Sequence, residues 1–347
     1  MIKEWNLLRV IACLSIVFLH STTFTVWSKG NLNLEYYQFF RLLLCFATPT
    51  FIILSIIILA YKYNNRLPDE FFKRRAKLIL LPFISFAIID AWMVNATSTG
   101  GIDIPEKILL NLVGEYEGYF ILVIFQFYII HYLVVKFKIS VEKFLPISIL
   151  LMATSLYFLF SNYPFFIQYR KVFEILFISW VGYYTVGFVI GKHYDAIRKF
   201  LKDYKWYTII VLAFSVYLLF LSFEAGNINV RSRRIDIFAV ALSASLVVLA
   251  WGQLVPKLKI VNLISNYSLG IYLVHWQVMR VLAPFLAEHI HSMTSMILCL
   301  FFSTLIISMV IIKLISLLPF GKYIVGNVKR KYNKKQSTVK LGESAVS

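Results

Sequence analysis

Apolar stretches of membrane-spanning length recur along the whole chain and are separated by short polar segments. A helix needs about 20 apolar residues to cross the hydrocarbon core of a bilayer, where a backbone must satisfy its own hydrogen bonds. Charged residues make up only 15% of the 347 residues, whereas about 25% is typical of a soluble protein. The sequence therefore predicts an all-α, polytopic membrane protein of about ten transmembrane helices and excludes a soluble enzyme. The predicted spans are residues 5–27, 39–61, 76–95, 119–137, 145–160, 174–191, 206–222, 235–253, 264–283 and 293–318.

Lysine and arginine are distributed unequally over the segments between these spans. If the N-terminus is cytoplasmic, the strongly basic segments 62–77 and 192–205 are cytoplasmic as well, as the positive-inside rule requires. We therefore expect a multi-pass protein of the cell membrane with both termini in the cytoplasm. The outer segment that carries Arg231, Arg233 and Arg234 is the one contrary signal.

The net charge of +18 comes largely from these short segments and from the C-terminal residues. Basic residues beside membrane spans bind anionic headgroups, so membrane lipid is an expected partner and nucleic acid is not. Residues 1–321 form the predicted transmembrane domain, and residues 322–347 form a basic cytoplasmic tail that we expect to be disordered. The three cysteines lie inside apolar spans without metal-ligand spacing, so no metal site is predicted. Motifs typical of zinc hydrolases, serine hydrolases and nucleotide-binding enzymes are absent from the sequence.

The first predicted helix contains an arginine and a histidine, Arg9 and His20. At about 100° and 1.5 Å per residue, their spacing places both on one helix face, about 16 Å apart along the axis. One interpretation is that Arg9 extends to the headgroups and His20 makes an interhelical hydrogen bond. The alternative is catalytic, because histidine titrates near neutral pH and is suited to act as a general base.

Other polar residues are expected near the same depth as His20. Asp90, Glu174 and His275 fall in the outer halves or near the middle of their spans, where charged groups are costly and therefore functional candidates. We expect them to line a cavity with His20 that opens to the outside, with Asp90 or Glu174 orienting the imidazole. For Glu174, a purely structural role as an acid at a helix N-terminus is the alternative.

The outer segment 95–118 is acidic, in contrast to the basic inner segments. Its Gly100-Gly101 pair and Pro105 predict an irregular backbone. Glu115 and Glu117 lie near its end and are, with His275, the predicted substrate-binding residues.

The segment FFKRRAKLILLPF, Phe71–Phe83, is the strongest basic cluster and lies at the cytoplasmic start of the third span. It is either a positive-inside signal that binds anionic lipid or a docking site for the phosphates of a cytoplasmic donor such as coenzyme A. In the second interpretation Arg74, Arg75 and Lys77 bind the donor.

Three motifs in the chain resemble those of acyltransferase family 3. They are LRVIACLSIVFLH (Leu8–His20), KRRAKLILLPF (Lys73–Phe83) and SNYSLGIYLVHWQV (Ser265–Val278). Two further stretches, FATPTFIILS (Phe46–Ser55) and EGYFILVIFQFYI (Glu117–Ile129), are similar to the branch of intercellular-adhesion C proteins from poly-N-acetylglucosamine systems.

The resemblance implies a ten-helix enzyme that moves an acyl group, acetyl or succinyl, from acyl-CoA to a hydroxyl of a cell-surface polysaccharide or glycan. His20 and Arg9 then take the roles of the family's first-helix motif, and a polysaccharide synthase is an expected partner. One departure concerns the donor site, because many relatives carry a further basic residue where this chain has Leu78. The alternative function is export of a surface polysaccharide such as poly-β-1,6-N-acetylglucosamine without acyl transfer.

Overall fold

The computed structural model of the protein describes residues 2–30 and 36–328, and these residues form helices and turns without any β-strand. The prediction of an all-α fold is confirmed. The helices of the described residues are α1 (Lys3–Lys29), α2 (Tyr37–Leu44), α3 (Ala47–Lys62), α4 (Phe71–Arg75), α5 (Leu81–Thr97), α6 (Ile104–Leu112), α7 (Phe120–Lys136), α8 (Val141–Leu159), α9 (Pro164–Gln168), α10 (Arg170–Ile175), α11 (Val181–Lys192), α12 (Tyr194–Asp203), α13 (Lys205–Glu224), α14 (Ile235–Trp251), α15 (Lys259–His289) and α16 (Met293–Leu317).

Within the described residues, eight helical stretches are long and apolar enough to cross a membrane. Five of them are single helices, namely α1, α8, α13, α15 and α16. The other three are composite: α2 with α3, α6 with α7, and α4 with α5 through a π-helical turn at Ala76–Leu80. The shorter α14 is apolar too, and α11 is almost entirely buried in the bundle. These ten elements correspond to the ten predicted spans, so the prediction of a multi-pass membrane protein is confirmed.

The predicted span 174–191 differs most from the structure. It is interrupted, because an extended residue, Leu176, and a 3₁₀ turn, Phe177–Trp180, separate α10 from α11. The side chain of Gln126 bridges this break: its amide nitrogen donates to the carbonyl of Ile175 at 2.8 Å, and its oxygen accepts from the amide of Phe177 at 2.9 Å. A helix break is tolerated within the membrane when a neighbouring side chain satisfies the freed backbone groups in this way.

Helix α1 is central and packs against α3, α14, α15 and α16. It runs parallel to α15, since Lys3 donates to the carbonyl of Val255 at one end and Lys29 donates to the carbonyl of Ile290 at the other. We refer to the face of the bundle that carries Lys3 as the inner face and to the face that carries Lys29 as the outer face. Helix α16 ends on the inner face, and the basic segments place that face in the cytoplasm.

Residues beyond the predicted domain boundary at 321 continue the fold. A 3₁₀ turn at Gly321–Tyr323 is followed by Val325, which is buried at 1% exposure, and by Gly326, which lies against Leu269 of α15. The start of the predicted tail is therefore folded onto the bundle up to residue 328. Residues 329–347, on which the rest of the prediction of a disordered tail falls, lie outside the described residues.

Two glycines allow α11 to approach α3 closely. A Cβ atom at Gly187 would lie 3.0 Å from the carbonyl oxygen of Ile53, and one at Gly191 would lie 2.4 Å from that of Ile57. Small residues four apart are a common means of close helix packing in membranes, where dispersion contacts drive association.

We expect the substitution Gly191→Ala to lower the thermal unfolding midpoint of the purified protein. Overpacking a tight contact costs about 1–3 kcal/mol, and the backbone carbonyl of Ile57 cannot yield as a flexible side chain would. The helix preference of alanine over glycine recovers only about 1 kcal/mol. The matched control is Gly100→Ala, because nothing lies within 4 Å of a Cβ atom there. Equal midpoints for the two variants would contradict the close approach of α3 and α11.

Candidate active site

His20 lies in the outer half of α1, against aromatic side chains of α15. Its ring centroid is 5.3 Å from that of His275 and 4.8 Å from that of Trp276, which meets it edge-on. Its Nε2 atom is 3.6 Å from Oε2 of Glu117, while its Nδ1 atom is buried without a hydrogen-bond partner among the described residues. An imidazole with one nitrogen facing a carboxylate and the other available is an arrangement typical of a general base.

The backbone around Glu117 is fixed from two sides. Glu117 begins a 3₁₀ turn, Glu117–Tyr119, and the hydroxyl of Tyr272 in α15 donates to its carbonyl. The hydroxyl of the preceding residue, Tyr116, donates to the carbonyl of Phe83 in α5 at 2.7 Å. A Cβ atom at Gly118 would lie 2.2 Å from the ring of Tyr116, so a larger residue there would displace this ring and its hydrogen bond to Phe83. The turn presents the Glu117 carboxylate to His20.

His275 lies behind His20 and is fully buried. Its Nδ1 atom is 3.0 Å from the carbonyl of Ile271 in the same helix. Because that carbonyl can only accept, Nδ1 carries the proton and Nε2 carries the lone pair. The Nε2 atom has no partner within the part of the chain that the structure describes. The structure thus brings together His20, Glu117 and His275, three of the predicted site residues.

A cavity of about 220 Å³ lies between α1, α3, α7 and α15, and we refer to it as the inner cavity. Arg9 and Arg75 line it near the inner face, and Phe120 and Tyr272 line its other end. Arg9 donates to the hydroxyl of Ser265 in α15 at 3.1 Å. Since the hydroxyl of Tyr272 also donates to the carbonyl of Glu117, this end of the cavity lies next to the turn that carries Glu117. Its two guanidinium groups and its apolar walls suit a ligand with an anionic head near the inner face and an uncharged remainder.

The basic cluster at the start of the third span divides into two groups. The guanidinium of Arg75 lies over the rings of Phe71 and Tyr128, at 5.2 and 5.1 Å, and lines the inner cavity. Arg74 is 76% exposed and pairs loosely with Glu70 at 3.6 Å, and Lys77 is exposed as well. Only Arg75 of the three predicted donor-binding residues therefore lines this cavity.

Asp90 does not approach His20 as we expected. Its carboxylate accepts from Gln277 at 2.7 Å and from Asn111 at 2.9 Å, and it pairs with Arg280 at 3.1 Å. These contacts join α5, α6 and α15. The expectation failed because depth in the membrane predicts which residues share a layer but not which way each helix is rotated. Asp90 instead holds in place the segment that leads to Glu117.

Glu174 also has a partner other than His20. It pairs with Arg233 at 3.2 Å, and the Arg233 guanidinium lies 5.2 Å from the ring centroid of Tyr119. Glu115, a predicted substrate-binding residue, is half-buried and receives a hydrogen bond on its backbone carbonyl from Lys107 at 3.3 Å. The carboxylate that faces His20 is thus Glu117, which we had assigned to substrate binding, and neither Asp90 nor Glu174.

A second and larger cavity, of about 950 Å³, lies at the outer face, and we refer to it as the outer cavity. Arg233 lines it and stands over Tyr119, in the same 3₁₀ turn as Glu117. The outer cavity and the inner cavity therefore lie on opposite sides of the turn that carries Glu117, through Arg233 and Tyr272 respectively.

Sequence reasoning missed Tyr272 and Arg233. A signal for the first was present, because Ser265, Ser268, Tyr272 and His275 follow one another at intervals of three and four residues and so share a face of α15. The signal for Arg233 was its place among outer arginines, which oppose the positive-inside rule.

Comparison with known proteins assigns the chain to a family. The family model of the acyltransferase domain, acyltransferase family 3, matches residues 2–313. The chain belongs to acyltransferase family 3. This family 3 protein matches no solved structure.

Two kinds of relatives are similar to the family 3 protein over most of their length. A protein of Bacillus subtilis (strain 168), named as membrane-bound acyltransferase YfiQ, is 33% identical over 299 residues, which is 79% of this chain and 80% of the relative. A protein of Staphylococcus aureus (strain MSSA476), named as a probable poly-beta-1,6-N-acetyl-D-glucosamine export protein, is 28% identical over 77% of this chain and 79% of the relative. A protein of the same name from Staphylococcus epidermidis is 24% identical over 77% of this chain and 78% of the relative.

We expect Asp90→Asn to destabilise the family 3 protein because it leaves the charge of Arg280 without its counter-charge. Breaking a buried ion pair from one side costs about 3–5 kcal/mol, and the 17% exposure of Arg280 places the loss near 3 kcal/mol. Adding Arg280→Gln should recover part of this loss, since no unpaired charge then remains. Thermal unfolding of the two single variants and the double variant measures the coupling, and strictly additive losses would contradict the pairing.

Proposed function

We propose that the protein transfers an acyl group from acyl-CoA on the cytoplasmic side to a hydroxyl of a cell-surface glycan, with His20 as the general base. The observation that carries the proposal is the inner cavity, which begins at Arg9 and Arg75 and ends at Tyr272, next to the turn that presents Glu117 to His20. Membership of acyltransferase family 3 supports the reaction class. The names of the staphylococcal relatives favour a polysaccharide as the acceptor.

The residues that line the inner cavity suit part of an acyl-CoA molecule, namely its phosphate groups and the arm that carries the acyl group. Guanidinium groups are good partners for phosphate oxygens, and Arg75 and Arg9 stand where the nucleotide end of the donor would lie. Apolar side chains such as Phe51, Ile121 and Ile124 line the cavity and suit the uncharged pantetheine arm. The thioester would then lie at the end of the cavity near Tyr272.

His20 and Glu117 are arranged to move one proton. In the proposed reaction, the acceptor hydroxyl oxygen attacks the thioester carbonyl carbon and gives its proton to Nδ1 of His20. The carbon–sulfur bond then breaks, and the leaving thiolate of coenzyme A takes up that proton. The Glu117 carboxylate fixes the ring and stabilises the imidazolium while the proton is on it.

We expect His20→Ala to abolish acyl transfer while leaving the polymer at the cell surface. Loss of a general base lowers the rate by about 10²–10⁴-fold. The measurement is the content of ester-linked acyl groups on the surface polysaccharide, together with the amount of polymer, in cells whose own copy is replaced by the variant. Coenzyme A release by the purified protein, with labelled acyl-CoA and isolated polysaccharide, provides the matching assay in vitro.

The matched control for this experiment is His289→Ala, because His289 is exposed and lies at the outer end of α15. It should behave as the wild type in both assays. An exporter without acyl transfer gives the opposite result for His20→Ala, namely unchanged acylation of a reduced amount of surface polymer. That result would refute the proposal.

We expect Arg75→Ala to raise the KM for acyl-CoA about tenfold, because a charge-assisted hydrogen bond to phosphate contributes about 1.5–3 kcal/mol. The neighbouring Arg74→Ala removes an equal charge from an exposed side chain outside the inner cavity. It should change the KM by less than about twofold. Equal effects of the two substitutions would indicate that the cluster only attracts the donor by its net charge, and would contradict a specific contact with Arg75.

A further inference from the structure

Four arginines line the outer cavity, Arg170, Arg231, Arg233 and Arg234. Arginine on the outer side of a membrane protein opposes the positive-inside rule. A cluster of four in one cavity therefore needs an explanation other than membrane insertion. The contacts of each arginine decide which of them serve the fold and which remain for a ligand.

Arg234 serves the fold. It is buried, with both of its outer nitrogens and Nε engaged. It forms a two-point ion pair with Asp236, at 2.9 and 2.5 Å, and donates to the carbonyls of Asn227 and Asn229 at 2.6 and 3.0 Å. These contacts close the loop between α13 and α14. Arg233 is also paired, with Glu174 at 3.2 Å.

Arg170 and Arg231 have no carboxylate partner among the described residues. The guanidinium of Arg231 lies 4.1 Å from the ring centroid of Phe160, a cation–π contact that leaves its edge free to donate. The Nε atom of Arg170 is buried without a hydrogen-bond partner within the described chain. Burial, followed by the nearby charges of Arg233 and Arg170, lowers the pKa of Arg231. Two guanidinium groups are thus held close to each other, and the nearest carboxylate, Glu174, which opposes this shift, is already paired with Arg233.

The remaining walls of the outer cavity suit a carbohydrate. Tyr157 and Tyr163 offer aromatic surface with a polar edge, and Asn162 and Ser161 offer both donors and acceptors for sugar hydroxyls. A volume of about 950 Å³ lies near the upper end of about 300–1,000 Å³ for ligand sites and has room for a short oligosaccharide.

We infer that the outer cavity binds an anionic glycan, with Arg170 and Arg231 on its phosphate or carboxylate groups. The inference rests on the proposed function, because it takes the bound glycan to be the acceptor of the acyl group. Arg233 lines this cavity and lies over the ring of Tyr119, in the turn that carries Glu117. It excludes a neutral or cationic amino-sugar polymer as the best ligand. The oxyanion belongs either to the sugars themselves or to a lipid-linked phosphate at the end of the chain.

The inference is tested by binding to the full-length protein in nanodiscs of neutral lipid, with no acyl donor present. The probes are an oligogalacturonide, a polyprenyl-phosphate-linked N-acetylglucosamine, a neutral β-1,6-linked N-acetylglucosamine oligomer and its deacetylated, cationic form. We expect at least one anionic probe to bind about tenfold more tightly than the neutral oligomer. Preference for the oligogalacturonide assigns the anion to the sugars, and preference for the lipid-linked probe assigns it to the phosphate.

Arg170→Gln and Arg231→Gln should each weaken binding of the preferred anionic probe about tenfold, and added salt should weaken it in the wild type. Lys171→Gln is the matched control, because Lys171 follows Arg170 in the chain, is exposed and does not line the cavity. The inference is overturned if the neutral or cationic oligomer binds as tightly as the anionic probes, or if both arginine variants bind like the control.

Failure of this inference and failure of the proposed function give different results. Binding is measured without acyl transfer. If His20→Ala shows that the protein is not a transferase, a preference for anionic probes can still be measured with that variant. Conversely, acyl transfer to a neutral glycan with no role for Arg170 or Arg231 would remove the inference and keep the proposed function.

Discussion

The absence of water from the bilayer core determines how this bundle is built. A polar side chain there has to find its partner within the protein, since an unsatisfied group costs several kcal/mol. Glu4 accepts hydrogen bonds from Arg198 and Tyr194, Gln126 bridges the break before α11, and Asp90 is held by three side chains. Against this background, the unpartnered Nδ1 of His20 and Nε of Arg170 are the atoms to which we assign a substrate group.

The parallel pair of α1 and α15 positions most of the candidate site. Helix α1 supplies Arg9 and His20, and the facing side of α15 supplies Ser265, Tyr272 and His275. Hydrogen bonds of Lys3 and Lys29 at both ends fix the register of the two helices. The site therefore lies on rigid elements, and only Glu117 comes from an irregular turn. Hydrogen bonds of the Tyr116 and Tyr272 hydroxyls hold this turn in place.

Much of the fold could be predicted from sequence, because apolar length and the bias of basic residues report directly on membrane crossing and topology. The shared face of Arg9 and His20 followed from helix geometry, and both do face α15. The partner of His20 could not be predicted in the same way. Depth placed Asp90 and Glu174 in the correct layer, but rotation of α5 and the break after α10 direct them to Arg280 and Arg233. The turn that brings in Glu117 depends on tyrosine contacts from distant segments, for which one sequence holds no periodic signal.

The distance between Arg9 and His20 poses the central mechanical problem of the proposed reaction, because a donor held at the inner face has to react in the outer half of the membrane. The inner cavity covers part of this distance, since its lining runs from Arg9 and Arg75 to Tyr272, which contacts the backbone of Glu117. A donor lying along it would bring its thioester to His20 without an acyl-enzyme to carry the group across. The acceptor would approach from the outer cavity, past Arg233 and Tyr119. Only the acyl group then needs to cross the layer that contains His20 and Glu117, while both large substrates stay on their own side of the membrane.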